Sequence, residues 1–326
     1  MSKKLSLALL AIAPLALRAQ DAHLAQYDAA ALLLNPALTG MYEHSDFRLS
    51  SNVRSQWNRI SNNFLTTAFA YDMNMDGQWG VGAYMSNYDQ ASMMKTFEVG
   101  ASGAYNVSGK GAKHTLSVGA RAGIVYKKVN DANFLYDAQY NGSYFDNDLP
   151  TGETVQKRQR LMPEVGLGMA YRSIDLKKQV NPFFNFGVFH ITRPDESIFR
   201  TEKLPLPMRW SVNGGASITV NDDVRVTPMA LYMVQGKNQE INLGLLGEVN
   251  VGTSAYKVIG GGGYRFGDAV IAQAGLKHRN NIFRVSYDIN VSPLSEFTHN
   301  MGAFEFSVIY CGTHSGKDRR VRSGSF

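Results

Sequence analysis

Apolar and polar side chains alternate along most of this chain, and that period of two limits its possible folds more than any other feature. On one segment, for example, Val118, Ala120 and Ala122 alternate with Ser117 and Arg121. Successive side chains of a β-strand point to opposite faces, so the pattern predicts strands with one apolar and one polar face. Such segments recur from 46 to 311 without a linker that would separate two domains.

About 14 strands of roughly ten residues are predicted, an even number and a length that suit a bacterial membrane barrel. Segments near 183–189 and 269–276 alternate poorly, which leaves the number open by about two. The predicted strands begin near Asp46, Asn63, Gln78, Ser92, Lys113, Leu161, Asn181, Met208, Val224, Gln239, Ser254, Ala269, Asn281 and Gly302.

A soluble β-sandwich also alternates, so two further observations decide in favour of a membrane barrel. The long connections 128–160, 192–207 and 291–301 all follow odd-numbered strands, which places them at one end of a barrel. Aromatic residues close many of the apolar series, as in the girdles at membrane interfaces: Tyr71, Tyr105, Tyr126, Tyr171, Tyr232, Tyr264 and Tyr310. The sequence therefore predicts an all-β, transmembrane, antiparallel up-and-down β-barrel over 46–311.

The two ends of the chain lie outside the predicted barrel. Lys3 and Lys4 precede an apolar run that is too short to span a membrane, and Ala19 follows it, so 1–19 is predicted to be a signal peptide. Residues 20–45 are predicted to form an N-terminal periplasmic or plug segment. Residues 312–326 form a basic tail, which lies in the periplasm if the long connections face outward.

No residues with recognisable catalytic, cofactor-binding or metal-binding spacing emerge from the sequence. The net charge of +6 is scattered, without the basic face of a nucleic-acid-binding protein. Asp72-x-Asn74-x-Asp76-Gly77 resembles the start of a calcium loop, but Ala83 stands where the closing Glu belongs, and a hairpin turn is favoured. We therefore predict no cofactor, no metal and no enzymatic activity.

The inward-facing positions of the predicted strands carry charges of both signs. These charges indicate either a selective pore or a lumen that is crossed by ion pairs and partly filled. The second interpretation is favoured, because charge is tolerated in a barrel lumen. The charged residues are Arg48, Arg54, Glu98, Arg121, Glu164, Arg172, Arg209, Arg225, Glu248, Arg265, Arg284, Asp288 and Glu305.

Distinctive motifs occur at both ends of the chain that follows the predicted signal peptide. They include Gln26-Tyr27 and contain the signature residues Asn35, Pro36, Gly40, Arg54, Gln56, Trp57, Arg265, Tyr287, Asp288 and Glu305. In their order and position these motifs resemble the PorP/SprF family, outer-membrane proteins of the type IX secretion and gliding apparatus of Bacteroidetes. Where that family often has a His before the Glu of its last strand, this chain has Phe304.

The resemblance implies a non-enzymatic barrel in the outer membrane of a Gram-negative, Bacteroidetes-like bacterium. It implies docking and surface anchoring of a secreted cargo, such as an adhesin with a type B C-terminal sorting domain. Association with the secretion channel and periplasmic ring components is also implied. Two other classes stay open: a diffusion porin or small-molecule transporter, and a structural barrel that links envelope layers.

The connections 128–160 and 192–207 are predicted to bind the partner, and the first of them is far longer than an ordinary hairpin loop. Large rigid aromatic side chains among polar groups suit protein recognition. A solvated or lumen-folded loop is the alternative. The candidate contact residues are Phe134, Tyr136, Tyr140, Tyr144 and Phe145.

Overall fold

The structure, a computed structural model, describes most of the chain outside its two termini. The predicted signal peptide, Phe134 and the tail from residue 314 lie outside the described residues. Those described are 21–42, 45–57, 63–75, 77–109, 112–130, 136–146, 148–152, 158–198, 203–293 and 295–313.

Fourteen antiparallel strands form one closed barrel, in which each strand pairs with its sequence neighbours and β1 pairs with β14. The predicted barrel of about 14 strands is therefore confirmed, and each strand begins within two residues of its predicted start. The strands are β1 (Phe47–Gln56), β2 (Phe64–Met75), β3 (Trp79–Gln90), β4 (Met94–Asn106), β5 (His114–Val129), β6 (Gln159–Ser173), β7 (Val180–Phe189), β8 (Arg209–Thr219), β9 (Val224–Gln235), β10 (Asn238–Asn250), β11 (Tyr256–Arg265), β12 (Ala269–His278), β13 (Asn281–Asn290) and β14 (Met301–Gly312).

The barrel has an apolar outer face and a polar inner face, as the alternation of the sequence requires. On β13 the outward side chains are apolar and about two-fifths exposed, whereas the inward ones are polar and buried. The outward residues are Phe283, Val285, Tyr287 and Ile289, and the inward ones are Arg284, Ser286 and Asp288. An apolar band facing outward is what lipid contact demands of a membrane barrel.

The two mouths of the barrel differ. The connections 130–158, 190–208 and 291–300 all leave at one end, which we call the long-loop mouth. At the opposite end, the short-turn mouth, the longest connection is 107–113. Aromatic rings mark the short-turn mouth on the outer surface, where Trp79 lies 4.7 Å from Tyr105 between ring centroids. This distribution matches the predicted parity of long and short connections.

Residues 21–42, which we call the plug segment, lie inside the barrel. They contain a 3₁₀ turn at Tyr27–Ala29, a short helix at Ala31–Leu34 and a second 3₁₀ turn at Pro36–Leu38. The segment starts at the long-loop mouth, where Asp21 meets the first residue of the connection 190–208. It ends at the short-turn mouth, where Tyr42 donates to the carbonyl of Asp72 over 3.0 Å. The plug segment thus crosses the lumen from one mouth to the other.

Glycines on the inner wall allow the plug backbone to approach closely. Gly119 of β5 faces Ala37, and a Cβ added to this glycine would lie 2.6 Å from the Ala37 backbone. Gly80 of β3 and Gly168 of β6 leave even less room, so a side chain at either position would collide with the plug segment. Because glycine in a strand otherwise weakens it, these positions are explained by close backbone contact.

The two faces of β10 predict opposite responses to charge. Leu245 points into the lipid and is 51% exposed, whereas the adjacent Leu246 is half-buried and points into the lumen. We expect Leu245→Arg to lower the free energy of unfolding by about 2–4 kcal/mol, because a cation near the membrane midplane loses its hydration. Leu246→Arg should lower it much less. Denaturant titration of both variants in lipid vesicles measures the difference, and equal losses would contradict the assignment of the faces.

This pair is a better comparison than Val118 and Ser117, which also lie on opposite faces. Val118 faces lipid and is 45% exposed, as the alternation predicts. The Ser117 hydroxyl, however, donates to the Ala37 carbonyl over 2.7 Å. An arginine at Ser117 would therefore collide with the plug segment, so its cost would not report on the polarity of the lumen alone.

Enlarging a wall glycine should release the plug segment. In Gly119→Val the new side chain occupies the space of Ala37, so we expect proteolysis within 21–42 to become about tenfold faster, equivalent to about 1.4 kcal/mol of local stability. The matched control is Gly260→Val, because a Cβ at Gly260 has no atom within 4 Å. Heat-modifiable migration in gels reports whether the barrel still assembles. If the plug segment of Gly119→Val resists proteolysis as well as that of the unsubstituted protein, the proposed contact between Gly119 and Ala37 is wrong.

Candidate functional site

Four of the signature residues form a buried charged cluster on the inner wall. Strand pairing brings Arg54 of β1 beside Glu305 of β14. The Arg54 guanidinium lies 2.7 Å from the Asp288 carboxylate and 3.4 Å from that of Glu305, and Arg265 also contacts Asp288. Each of the four side chains is at most 6% exposed. Charges buried this deeply require such pairing, because each one has lost its hydration.

The charged cluster binds the plug segment through Glu305. Its carboxylate accepts hydrogen bonds from the backbone N–H groups of Ala25 and Gln26, over 2.7 and 3.1 Å. The Gln26 amide in turn donates to the Ser286 hydroxyl over 3.0 Å. A charged acceptor makes stronger hydrogen bonds than a neutral acceptor does. Glu305 is therefore a strong attachment point for the part of the plug segment that is nearest the long-loop mouth.

Asn35 fixes the middle of the plug segment and is 1% exposed. Its amide nitrogen donates to the carbonyls of Met169 and Phe186, on adjacent strands of the wall, over 2.9 and 3.0 Å. Its side-chain oxygen accepts from the Ala37 N–H over 2.8 Å and so caps the 3₁₀ turn that Pro36 begins. Asn-Pro therefore starts a turn and anchors it to the wall at the same time.

Gly40 attaches the end of the plug segment at the short-turn mouth to the barrel wall. Its N–H donates to the Asp72 carboxylate over 2.6 Å, and Arg48 holds the same carboxylate at 2.8 Å. The φ of Gly40 is +68°, a conformation that favours glycine. Its Cα faces Gly80 so closely that a Cβ would lie 2.6 Å away. Both backbone conformation and space thus require glycine here.

Asp21 and His190 join the start of the plug segment to the long-loop mouth. Asp21 lies 2.8 Å from the His190 ring and 2.8 Å from Arg209, while Glu164 lies 2.5 Å from the other ring nitrogen. Burial alone would lower the pKa of His190, but Asp21 and Glu164 raise it to about 9. The ring is therefore a cation at neutral pH, held between two carboxylates.

Three signature residues lie away from the cluster. Gln56 ends β1, and Trp57 follows it with a φ of +58° and an edge-on contact to Phe64, with 5.1 Å between ring centroids. Tyr287 faces the lipid and is 43% exposed. Phe304, which stands in place of the family's histidine, is also on the outer face. The structure thus brings together the charged signature residues and the plug motif, but not Gln56, Trp57 and Tyr287.

The plug segment separates two cavities. Above it, at the long-loop mouth, a vestibule of about 110 Å³ has Leu24, Tyr27 and Leu33 in its floor and Glu98 and Lys127 in its wall. Below it, a cavity of about 250 Å³ opens at the short-turn mouth. The vestibule combines an apolar floor with a charged wall, an arrangement that suits contact with a protein side chain or segment.

Two connections build a folded collar above the vestibule. Tyr140 and Phe145 of 130–158 stack at 5.2 Å between ring centroids, and Tyr136 is half-buried. Tyr140, Tyr144 and Phe145 are 50%, 62% and 45% exposed. The connection 190–208 is tied to the barrel by Lys127 and Glu196, 2.7 Å apart. In the collar, the connection 130–158 thus presents aromatic surface, and the connection 190–208 is attached to the barrel wall.

Several residues that attach the plug segment escape prediction from sequence. Asp28 pairs with Arg284 at 2.8 Å and His23 with Glu240 at 2.7 Å, yet nothing in the sequence links these residues. The wall glycines do leave a signal, because Gly80 and Gly82 occupy successive inward positions on β3. Within the described part of the chain, no three His, Cys, Asp or Glu side chains are placed to hold a metal ion.

Comparisons with solved structures find membrane barrels of low sequence identity. The toluene transporter TbuX of Ralstonia pickettii is 12% identical to this chain, and the match covers 86% of this chain and 92% of the transporter. The TM-score is 0.48. CymD, a monoaromatic hydrocarbon channel, is 12% identical over 88% of this chain and 93% of its own, with a TM-score of 0.49. A Pseudomonas aeruginosa FadL homologue is 9% identical over 86% and 93%, with a TM-score of 0.44. None of the curated proteins matches this chain.

The comparison with protein families gives a match over almost the whole barrel and the plug segment. The family is described as type IX secretion system membrane protein PorP/SprF, and the match covers residues 16–310. This span includes the plug motif and all four residues of the charged cluster. The protein therefore belongs to the PorP/SprF family of type IX secretion system membrane proteins.

Proposed function

We propose that this protein is a non-enzymatic outer-membrane barrel that docks a secreted cargo protein and anchors it at the cell surface. The cargo is an adhesin-like protein with a type B C-terminal sorting domain, and the host is a Gram-negative bacterium of the Bacteroidetes type. The observation that carries the proposal is the plugged lumen beneath an aromatic collar. Membership of a type IX secretion family supports a role in handling secreted proteins.

The plug segment argues for docking in preference to diffusion. A porin needs a continuous aqueous lumen, whereas Glu305, Asn35 and Asp72 hold this segment at three depths. Releasing it requires the loss of charge-assisted hydrogen bonds whose partners are buried, which is costly. The segment thus supports a barrel that offers a surface at its mouth, and association with the secretion channel and periplasmic ring components fits such a role.

The collar is the proposed contact surface for the cargo. Interfaces gain most of their affinity from a few rigid aromatic residues surrounded by polar groups. Tyr140, Tyr144 and Phe145 meet this description, since their rings are about half exposed and the local backbone is ordered by hydrogen bonds. The Asn141 side chain, for example, accepts from the N–H groups of Ser143 and Tyr144 over 3.0 and 3.1 Å.

Removing the collar aromatics should release the cargo. We expect the triple variant Tyr140→Ser, Tyr144→Ser and Phe145→Ser to lower the amount of cargo retained on cells by at least about tenfold, because loss of central aromatic contacts costs 2 kcal/mol or more. Phe266→Ser is the matched control, an aromatic residue 52% exposed at the same mouth on the opposite wall. Surface proteomics measures retention. Normal cargo attachment in the triple variant would place the docking surface elsewhere.

The orientation required by this proposal can be measured independently. In a Cys311→Ser background, Asn141→Cys at the long-loop mouth should react with an impermeant maleimide on intact cells. Thr253→Cys, exposed in the turn 251–255 at the short-turn mouth, should react only after the envelope is opened. Short periplasmic turns and longer external loops are the rule in such barrels. Labelling of Thr253→Cys but not Asn141→Cys on intact cells would invert the orientation.

A further inference from the structure

The plug segment is attached to the barrel in two different ways. From Ala25 onward, backbone groups bind buried wall residues such as Glu305, whose side chain is fully buried. Residues 21–24 are attached mainly by the side chains of Asp21 and His23, which are 26% and 25% exposed. Local opening costs least where contacts are few and exposed to solvent. The start of the plug segment can therefore leave the wall while the remainder stays in place.

Asp21 occupies a carboxylate-binding site in the wall of the vestibule. Its Oδ2 atom lies 2.8 Å from Nε2 of His190 and 2.8 Å from Nη1 of Arg209. The Asp21 N–H group donates to the side-chain oxygen of Gln235 over 3.1 Å. Two cationic donors that converge on one oxygen bind a carboxylate strongly. We call His190 and Arg209 the cation pair, and Asp21 is its ligand from the same chain.

The cation pair is held in position by residues other than Asp21. Nδ1 of His190 lies 2.5 Å from the Glu164 carboxylate. The Arg209 guanidinium lies over the buried ring of Phe189, 4.3 Å from its centroid. Both donors are thus supported by the wall itself, so the site keeps its shape when Asp21 leaves. A site that is formed in advance loses little affinity to ordering on binding.

The charges around the cation pair leave room for a single negative charge. Arg121 lies 3.0 Å from the Glu98 carboxylate and 2.8 Å from that of Glu164. With the cation pair, these residues comprise three cations and two carboxylates, and Asp21 neutralises the one excess positive charge. Buried charge is costly unless it is paired. An incoming carboxylate can therefore replace Asp21 without changing the charge balance.

The vestibule determines which group can bring that carboxylate. It has a volume of about 110 Å³, and the apolar side chains of Leu33, Leu34 and Met233 line it together with the cation pair. The plug segment closes it from below, so a chain can enter but cannot pass through. The last residue of a protein chain carries a carboxylate and a side chain on the same Cα atom. An acidic side chain supplies the carboxylate without a second, apolar group.

We propose that the cation pair binds the C-terminal carboxylate of a protein chain that ends in an apolar residue, and that Asp21 occupies the site until this chain displaces it. The inference rests on the proposed docking at the long-loop mouth, because the chain end belongs to the docked partner. One carboxylate replaces another, so the ion pairs alone give little net affinity. Burial of the apolar side chain beside Leu33 supplies the gain.

A labelled peptide tests the proposal directly. The purified full-length barrel in lipid nanodiscs is added to a short glycine-serine peptide that carries fluorescein at its N-terminus and ends in leucine with a free carboxylate. Fluorescence anisotropy measures binding. The same peptide with an amidated C-terminus should not bind, because it lacks the charge. A peptide that ends in glycine should bind about tenfold more weakly, because it buries no apolar side chain.

Removal of the competing carboxylate gives the decisive result. Asp21→Asn should strengthen peptide binding by about tenfold, because a neutral amide competes less well than a carboxylate for two cations. A misfolded barrel would not bind more tightly, so general damage cannot produce this gain. The matched control is Asp28→Asn, which removes a plug carboxylate that pairs with Arg284 at 2.8 Å, outside the vestibule lining. It should leave peptide binding unchanged.

Adding Arg209→Gln to Asp21→Asn should remove most of the gain, because one of the two donors is lost. The proposal is overturned if Asp21→Asn gives no gain, or if Asp28→Asn gives an equal one. Equal binding of an amidated peptide with a glutamate in its middle would also overturn it, since any acidic side chain would then suffice. Cargo retention in the collar variant is a separate measurement. The peptide test can therefore fail while cargo docking at the long-loop mouth stands.

Discussion

Closure of the barrel by β1 and β14 is the constraint on which the rest of the structure depends. Unpaired N–H and C=O groups in hydrocarbon cost several kcal/mol each, so a sheet in a membrane cannot keep free edges. Here the pairing extends over the full length of β1, from Phe47 opposite Gly312 to Gln56 opposite Ala303. Closure also brings the two ends of the chain together, and it therefore creates the charged cluster that neither end contains alone.

The polar character of the inner face follows from the apolar character of the outer face. Because each strand alternates, an apolar band toward lipid requires a second set of side chains toward the lumen, and charges are tolerated there. Most of those charges pair with one another or with the plug segment, as Arg54 does with Asp288 and Asp28 does with Arg284. The plug segment thus supplies counter-ions and hydrogen-bond partners that the inner wall needs. Its removal would leave groups such as Glu305 without their backbone donors.

The two mouths provide different surfaces for the two sides of a membrane. The long-loop mouth carries a collar with exposed aromatics and a vestibule beneath it, which suits a large protein partner. At the short-turn mouth, a cavity of about 250 Å³ opens on the other side of the plug segment. The plug segment between the two mouths keeps the lumen occupied.

Strand position and the lipid-facing residues were determined by the sequence alone, because the alternation of side chains is a local property of the extended backbone. The sequence predicted about 14 strands, and the closed barrel decided the number. Both β7 and β12 form in spite of their poor alternation, because each pairs with a strand on either side in the closed barrel. Only the tertiary structure decided which charges meet, because Arg54 and Asp288 are 234 residues apart in the chain. Likewise, only packing revealed that Gly119 and Gly168 exist to admit the plug segment, and that Tyr144 stays exposed. Composition and period describe one strand at a time, whereas these contacts depend on how a closed barrel arranges distant residues around a shared interior.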